Sequence, residues 1–584
     1  SYGYDDEGRL ARKVWSNGRF FTQAYDAKGN VTNATDSVTG AVMMEYDDRE
    51  RLIRIVHPKN RGFTYKYDTL GRMVERATLD GTRECYGYDE LGRLAYVTDG
   101  EKRYLTNAYD PVTGWLATQT YGNGVVVSNA YDILGRTAGI YHLKGGRRLA
   151  FFEYAYDRDG KCISQKTAEG MERYAYDADS QLTGVTYPDG TDEQFAYDVV
   201  GNRTTANGAA YEVNALNQYV AVSGGNSPVL MAYDLDGNLI SQADDEGTTL
   251  YAYDILNRLV AVTNEARNIR WSCEYDAFGN RTSVTDNGKT TEKLFVQGSL
   301  ASVVAEYVGG VQTRYHVMVG AVRLADVDAT SGIHYYHADM LGSVRLLTDG
   351  AGGEKWRGSY RAFGGTRKVT GEMTEATWVG TLGVEKDTTG LVFMRNRYYD
   401  EKVGRFIQMD PIGLKAGDVN LYRYCGNNSE QMVDISGLIG ETTCVSLTLG
   451  AGLVGNGAVC LGTTEDGDWV LTVTLGGGVG AGVSGAVSSL GPSRIGGYGS
   501  MSVSGVAGIG GTATLTDDGV DVGLTGALGL AASATWNVNY GIPLFGKSER
   551  ARRREAENAQ KRIIEEEARR NMNYFAANGG FPLF

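Results

Sequence analysis

Proline is scarce, 8 in 584 residues, and no Gly-X-Y period accompanies it, which excludes collagen and Pro-rich disorder. The six cysteines, Cys85, Cys162, Cys273, Cys425, Cys444 and Cys460, form no CxxC pair; neither a zinc module nor a dense disulfide framework is indicated, and the redox compartment stays open. Histidine numbers five and stops at His337, so the segment downstream lacks the residues of an HNH nuclease, a HExxH protease or a His-dependent RNase. Basic residues are outnumbered, 57 Lys and Arg against 71 Asp and Glu, for a net charge of −14. No global attraction to nucleic acid or anionic lipid is expected from such a chain. There is no initial Met and no signal peptide: Ser1 opens inside a repeat, which is the expected appearance of a fragment or a processed piece.

What the chain has in excess is glycine, 80 residues, and tyrosine, 38, with 42% hydrophobic and 22% charged residues. A large core can be filled, and the Gly and Tyr surplus predicts many strands joined by tight turns rather than an all-helical fold.

Tyr-Asp recurs at Tyr4, Tyr25, Tyr46, Tyr67, Tyr88 and Tyr109, five successive intervals of 21 residues. It continues less strictly at Tyr131, Tyr156, Tyr176, Tyr197, Tyr233, Tyr253 and Tyr275, with a degenerate copy at Tyr211. Within one unit, 72–78 is extended, Asp80-Gly81 supplies a hairpin turn, and 82–88 returns as a second strand before Asp89-Glu90-Leu91-Gly92 turns the chain again. Two strands and two turns fill the period, so each repeat is one β-hairpin. A lone hairpin is barely stable, and stacked hairpins bury the recurring Tyr face as a spiral sheet. The Asp after each Tyr fits a turn-opening residue whose carboxylate bonds backbone N–H groups two residues on. The DxDG runs at Asp157 and Asp234 lack the remaining ligands of a calcium loop and read as plain turns.

These units, YDxxGRL or YDxxGN, resemble the YD repeats of the Rhs family, which includes the C component of insecticidal ABC toxin complexes and, more distantly, teneurins. The resemblance spans most of 1–438 and tightens downstream. Its motifs there are Tyr336-His337-Ala338-Asp339 with Leu341-Gly342-Ser343-Val344, Ala362-Phe363-Gly364, Thr389-Gly390-Leu391, and Arg397-Tyr398-Tyr399-Asp400 with Gly404-Arg405-Phe406. They continue as Asp410-Pro411-Ile412-Gly413-Leu414, Asn420-Leu421-Tyr422 with Tyr424, Asn427-Asn428, and Asp434-Ile435-Ser436-Gly437-Leu438. This is similar to the Rhs repeat-associated core. The resemblance implies a hollow all-β shell of spiralling hairpins around the C-terminal segment, with a core domain that plugs the shell and cuts the chain behind itself. Carried over, the scissile bond is Leu438–Ile439. Ser429 stands where the family usually has Pro after the paired Asn, and Ile435 where Pro often follows the second Asp.

Peptide hydrolysis needs a base to activate water and an acid to protonate the carbonyl, and two carboxylates sharing one proton supply both. Asp410 and Asp434 are the candidates. A guanidinium such as Arg397, which the resemblance also supports, keeps one partner ionised and in place. Catalyst and substrate share one chain, so one slow turnover suffices and no cofactor is required. Asn cyclisation at Asn428-Ser429 is the competing chemistry, but no suitable His or Cys nucleophile precedes it.

Composition shifts at Ile439: of the 108 residues in 439–546, 27 are Gly and eight are charged, seven acidic plus Arg494. Cys444 and Cys460 are too isolated for a zinc deaminase. Asp517, Asp518 and Asp521 read as a hairpin turn rather than an acidic catalytic cluster. The runs beginning at Trp469, Ser500 and Val520 alternate as strands do; seven glycines from Trp469 to Ser493 argue against a transmembrane helix, while pore-lining hairpins, a soluble β-sandwich and an unfolded cargo all remain open. Residues 547–570 predict a charge-dense, solvated helix capped by Ser548.

The domains expected are a YD-repeat β shell at 1–290, an Rhs repeat-associated core with an autoproteolytic plug at 291–438, a glycine-rich β module at 439–546, and a charged helix and tail at 547–584. The function expected is that of a bacterial Rhs-type polymorphic toxin or delivery protein, secreted or at the cell surface. The partners it admits are its own C-terminal segment as enclosed cargo, a secretion machinery and an immunity protein; the shell is expected to bind no nucleic acid, and a membrane stays open as target of the C-terminal module. The alternative is a cell-surface structural or adhesion YD-repeat protein with a harmless tail.

Overall fold

The computed structural model describes residues 1–224, 227–296, 301–371 and 377–438, with the backbone of eight short strands between Thr443 and Ser533. Among the described residues there is no α-helix, and the fold is all-β. From Tyr2–Tyr4 to Thr366–Gly371, 36 strands form one antiparallel meander in which each strand pairs with the next in sequence. The ladder crosses residue 290 without a break, inside strand Lys289–Val296.

One repeat shows why the 21-residue unit folds this way. Strand Met73–Thr78 turns through Gly81, at φ 103, into strand Arg83–Tyr88. Asp68 Oδ1 accepts the N–H groups of Leu70 and Arg72 at 3.0 and 2.9 Å, and its Oδ2 accepts Arg72 Nε at 2.7 Å. The Arg72 guanidinium then lies 4.5 Å from the centre of the Tyr88 ring of the following unit, a cation–π contact. Tyr88 donates its hydroxyl proton to the carbonyl of Met73, 15 residues earlier. Tyr25, Tyr67 and Tyr109 make the same reach to Leu10, Leu52 and Leu94. Each Tyr sits where the strand register slips by a residue, as between Lys66 and Tyr67, and such bulges strengthen the local twist that coils the ladder. The carboxylates of Asp157 and Asp234 likewise accept backbone N–H groups two and four residues on.

The ladder returns on itself. Arg19 pairs with Asp254, 235 residues on, at 3.1 Å, and Asp80 accepts the hydroxyl of Tyr307, 227 residues on. Asn123 meets Thr348 at a separation of 225 residues, Tyr154 meets Met340 at 186, and Glu193 meets Ala362 at 169. Fewer residues per return mean that the coil tightens toward its end. Its core mixes early residues such as Val42, Phe63 and Leu105 with late ones such as Val304, Val317 and Leu346, all fully buried.

Residues 377–438 carry a separate sheet, Glu385–Lys386, Val392–Met394, Arg397–Asp400 and Arg405–Phe406. It packs Tyr398 and Phe393 against Trp271 and Leu259 of the coil. Buried charge locks the two together: Arg281 bonds Glu385 at 2.7 Å and Asp387 at 2.6 Å, and Lys293 reaches Glu385 at 2.5 Å. Breaking one member of such a cluster leaves an unpaired buried charge, at a cost of about 3–5 kcal/mol.

The alternating runs read at Trp469, Ser500 and Val520 fall within strands Trp469–Gly477, Ser500–Ser504 and Gly519–Gly526. The expected helix at 547–570, Ile439, and the turn at Asp517-Asp518 lie outside the described residues.

Candidate active site

Arg397 opens the third strand of the small sheet and is 1% exposed. Its guanidinium lies 3.6 Å from the centre of the Phe406 ring, on the strand that pairs with its own. That apolar ring removes water from one side of the group, so the donors are left to protein oxygens. Nη2 contacts Asp410 Oδ2 at 2.9 Å and Asp434 Oδ2 at 3.3 Å, Nη1 donates to the carbonyl of Leu421 at 3.0 Å, and Nε donates to the carbonyl of Gly437.

Asp410 follows the last strand of this sheet, and Pro411 presets its turn. Its N–H donates to Leu421 O at 2.9 Å, and its Oδ1 accepts the N–H of Ile412 at 3.0 Å. Only Oδ2 is left to face Arg397. Burial raises the Asp410 carboxyl above the ordinary aspartate range; Arg397 opposes the rise and the nearby Asp434 adds to it.

Asp434, 1% exposed, folds its carboxylate forward over the chain that follows. Oδ1 accepts the hydroxyl of Ser436 at 3.0 Å and the N–H groups of Gly437 and Leu438 at 2.7 and 3.2 Å. This is the side-chain-to-backbone turn that Asp favours. Asp410 and Asp434, 24 positions apart in sequence, thus converge on one nitrogen, and one of them is bonded to the residue before the expected cut.

Two residues beside Arg397 were not singled out in the sequence. Arg395 donates to the carbonyls of Ala301 at 2.9 Å, Leu382 at 2.9 Å and Ile435 at 2.5 Å. Asn396 donates its side-chain amide to Ser436 O at 2.9 Å and its N–H to the same oxygen at 3.2 Å. Arg395 adopts φ 54, the left-handed region, and burial pulls its guanidinium down to about 10. Neither residue has a spacing signal of its own; the fact that they flank Arg397 was the available clue.

Ser429, where the resemblance usually has Pro, is buried and donates to the carbonyl of Ala362 at 2.6 Å. Its neighbour Asn427 bonds Gln181 Oε1 and Gly201 O of the coil at 2.9 and 2.8 Å. The carbonyl of Ile435, the other departure, is the one held by Arg395.

A teneurin YD-shell family model matches residues 1–171 and 127–430. Double-stranded DNA deaminase toxin A of Burkholderia cenocepacia (strain H111) is 30% identical over 343 residues, covering 51% of this chain and 24% of that protein. Probable deoxyribonuclease RhsB of Dickeya dadantii (strain 3937) is 26% identical over 361 residues, covering 58% of this chain and 24% of that protein. The chain therefore spans about a quarter of the length of these relatives. A solved Photorhabdus luminescens Tc holotoxin pore shares the fold, with TM-score 0.57 at 16% identity over 76% of this chain and 27% of that one. The repeats, the coiled ladder and a family match over most of its length agree that this chain is an Rhs-type YD-repeat protein and belongs to the teneurin YD-shell family.

Proposed function

We propose that this chain forms the wall and lid of a bacterial toxin-delivery protein, secreted or carried at the cell surface. Its lid cuts Leu438–Ile439 to free the segment that follows. In this reading 1–290 is the repeat wall, 291–438 the core with its plug, 439–546 the cargo module and 547–584 its tail. Support for the delivery role comes from the relatives, which are named as a deaminase toxin and a probable deoxyribonuclease.

The observation that carries the cleavage is the convergence of Asp410 and Asp434 on Arg397 Nη2, with Asp434 bonded to Leu438 N–H. Asp434, placed as an acceptor, takes a proton from water. The water oxygen adds to the Leu438 carbonyl carbon, and Asp410, whose proton burial helps retain, protonates the Ile439 nitrogen as the C–N bond breaks. The products are a carboxylate on Leu438 and an amine on Ile439, and one water is consumed. Arg397 holds both carboxylates in place through the step. Covalent tethering of the substrate supplies the proximity, so a single slow turnover suffices.

The test is direct. Purified full-length chain is expected to run as two species, the smaller about a quarter of the 63.1 kDa total, with Ile439 as its first residue by N-terminal sequencing. A single intact species from an unproteolysed preparation overturns the cleavage.

A further inference from the structure

Three consecutive residues grip three consecutive carbonyls in step: Arg395 holds Ile435, Asn396 holds Ser436, and Arg397 holds Gly437. Gly437 fits the grip because it has no side chain. Its φ is 69, and a Cβ there would stand 2.5 Å from Met394 O and 3.0 Å from Arg397 N. Any residue but glycine is strained in that conformation and also collides with backbone that cannot yield. The segment entering the site therefore has one register: sliding by a residue would drive Ser436 or Leu438 into the place that admits only Gly437.

We infer that Arg395, Asn396 and Gly437 form a backbone ruler that selects the bond to be cut by its distance from the clamp rather than by the side chains flanking it. The inference rests on the cleavage proposed above and adds what determines its position. Arg395 and Asn396 are positioning residues. Their contacts to the segment stop at Ser436, Gly437 being left to Arg397, and every one of them goes to main-chain oxygen. None reads a side chain, and hydrogen bonds to successive carbonyls fix the register of the turn that carries them, much as pairing fixes the register of a strand. Arg395 also ties the ruler to the surrounding fold through Ala301 and Leu382, so the clamp is part of the frame that carries the two aspartates.

The deciding experiment inserts one glycine between Gly437 and Leu438 in the full-length chain and sequences the N-terminus of the released fragment. A ruler moves the cut by one residue, and the fragment then begins at Leu438. A fragment that still begins at Ile439, or a folded insertion variant that stays intact, overturns the inference. Because an insertion can disturb folding, Arg395→Met and Arg395→Lys provide a second measure, taken as time courses of cleavage after synthesis. Methionine removes all three donors and lysine keeps one charged donor. Cleavage is expected to slow at least about tenfold in Arg395→Met, to be partly restored in Arg395→Lys, and to keep its dependence on pH because the dyad is untouched. Wild-type rates in Arg395→Met overturn the ruler. Asp410→Asn and Asp434→Asn separate the two ideas: normal cutting in both defeats the dyad, whereas intact Asn variants beside an unshifted insertion variant defeat the ruler alone.

Discussion

Asp434 accepts the backbone N–H of Leu438 at 3.2 Å, which places one carboxylate within a peptide unit of the bond it is proposed to cut. The expected consequence is a cleavage rate at least about a hundredfold lower in Asp434→Asn and in Asp410→Asn. Since burial raises the Asp410 carboxyl, the proton it donates is present at low pH and lost as pH climbs through that raised value. Cleavage should therefore slow on the alkaline side. Time courses from about pH 5 to about pH 9 check this; a rate that keeps rising with pH removes Asp410 as the acid.

Gly437→Ala is expected to slow cleavage by at least about tenfold, because the added Cβ meets Met394 O and Arg397 N and the backbone is left-handed. Thermal melting of the same protein distinguishes local from global damage. Rapid cutting by a well-folded Gly437→Ala chain contradicts the close fit.

Glu50 occupies the turn position that neighbouring repeats fill with Gly71 and Gly92, and it does so at φ 64. Its side chain is exposed. Relieving the left-handed strain by Glu50→Gly should stabilise the coil by about 1 kcal/mol, the cost of that conformation for a residue with a Cβ. Denaturant midpoints measure it, and an unchanged or lower midpoint counts against strain at this turn.

His142 and His337 touch through their Nδ1 atoms at 3.2 Å where successive rows of the coil meet. Burial pulls His142 down to about 4 and His337 further. An imidazole whose folded pKa lies below its unfolded value resists protonation only when folded, so its stability contribution is intact above about pH 6.5 and is lost as pH falls toward 4. The loss from His142 alone approaches about 3 kcal/mol. Unfolding measured at pH 7 and pH 4.5 should show a smaller acid penalty in His142→Gln than in the wild type; equal penalties exclude this histidine as the cause.

The hairpins were legible because their determinants are local. Asp68, Gly71 and Arg72 lie within five positions, so the turn, its carboxylate and its guanidinium are written together, and strands Met73–Thr78 and Arg83–Tyr88 fall where the period placed them. The reach of Tyr88 to Met73 and the slip at each Tyr were not legible, because a bulge belongs to the pairing of two strands rather than to either sequence. Meetings such as Arg19 with Asp254 depend on how much each hairpin twists, a quantity that accumulates over many units. At the candidate site, Asp410, Asp434 and Arg397 were named by motif and do converge. Arg395 and Asn396 escaped notice because they bind main-chain oxygen, which leaves no complementary residue type to find.

The meander order of the ladder bears on how such a molecule comes to exist. Every strand up to Gly371 finds its hydrogen-bonding neighbour in the few residues just made, so the wall can lengthen behind the ribosome by accretion without waiting for distant chain. Contacts between rows arrive only about two hundred residues later, and the clamp on Gly437 can form only after the last strand of the ladder has been made. Under the proposed cleavage, a severed chain then doubles as a record that winding up to the clamp was completed.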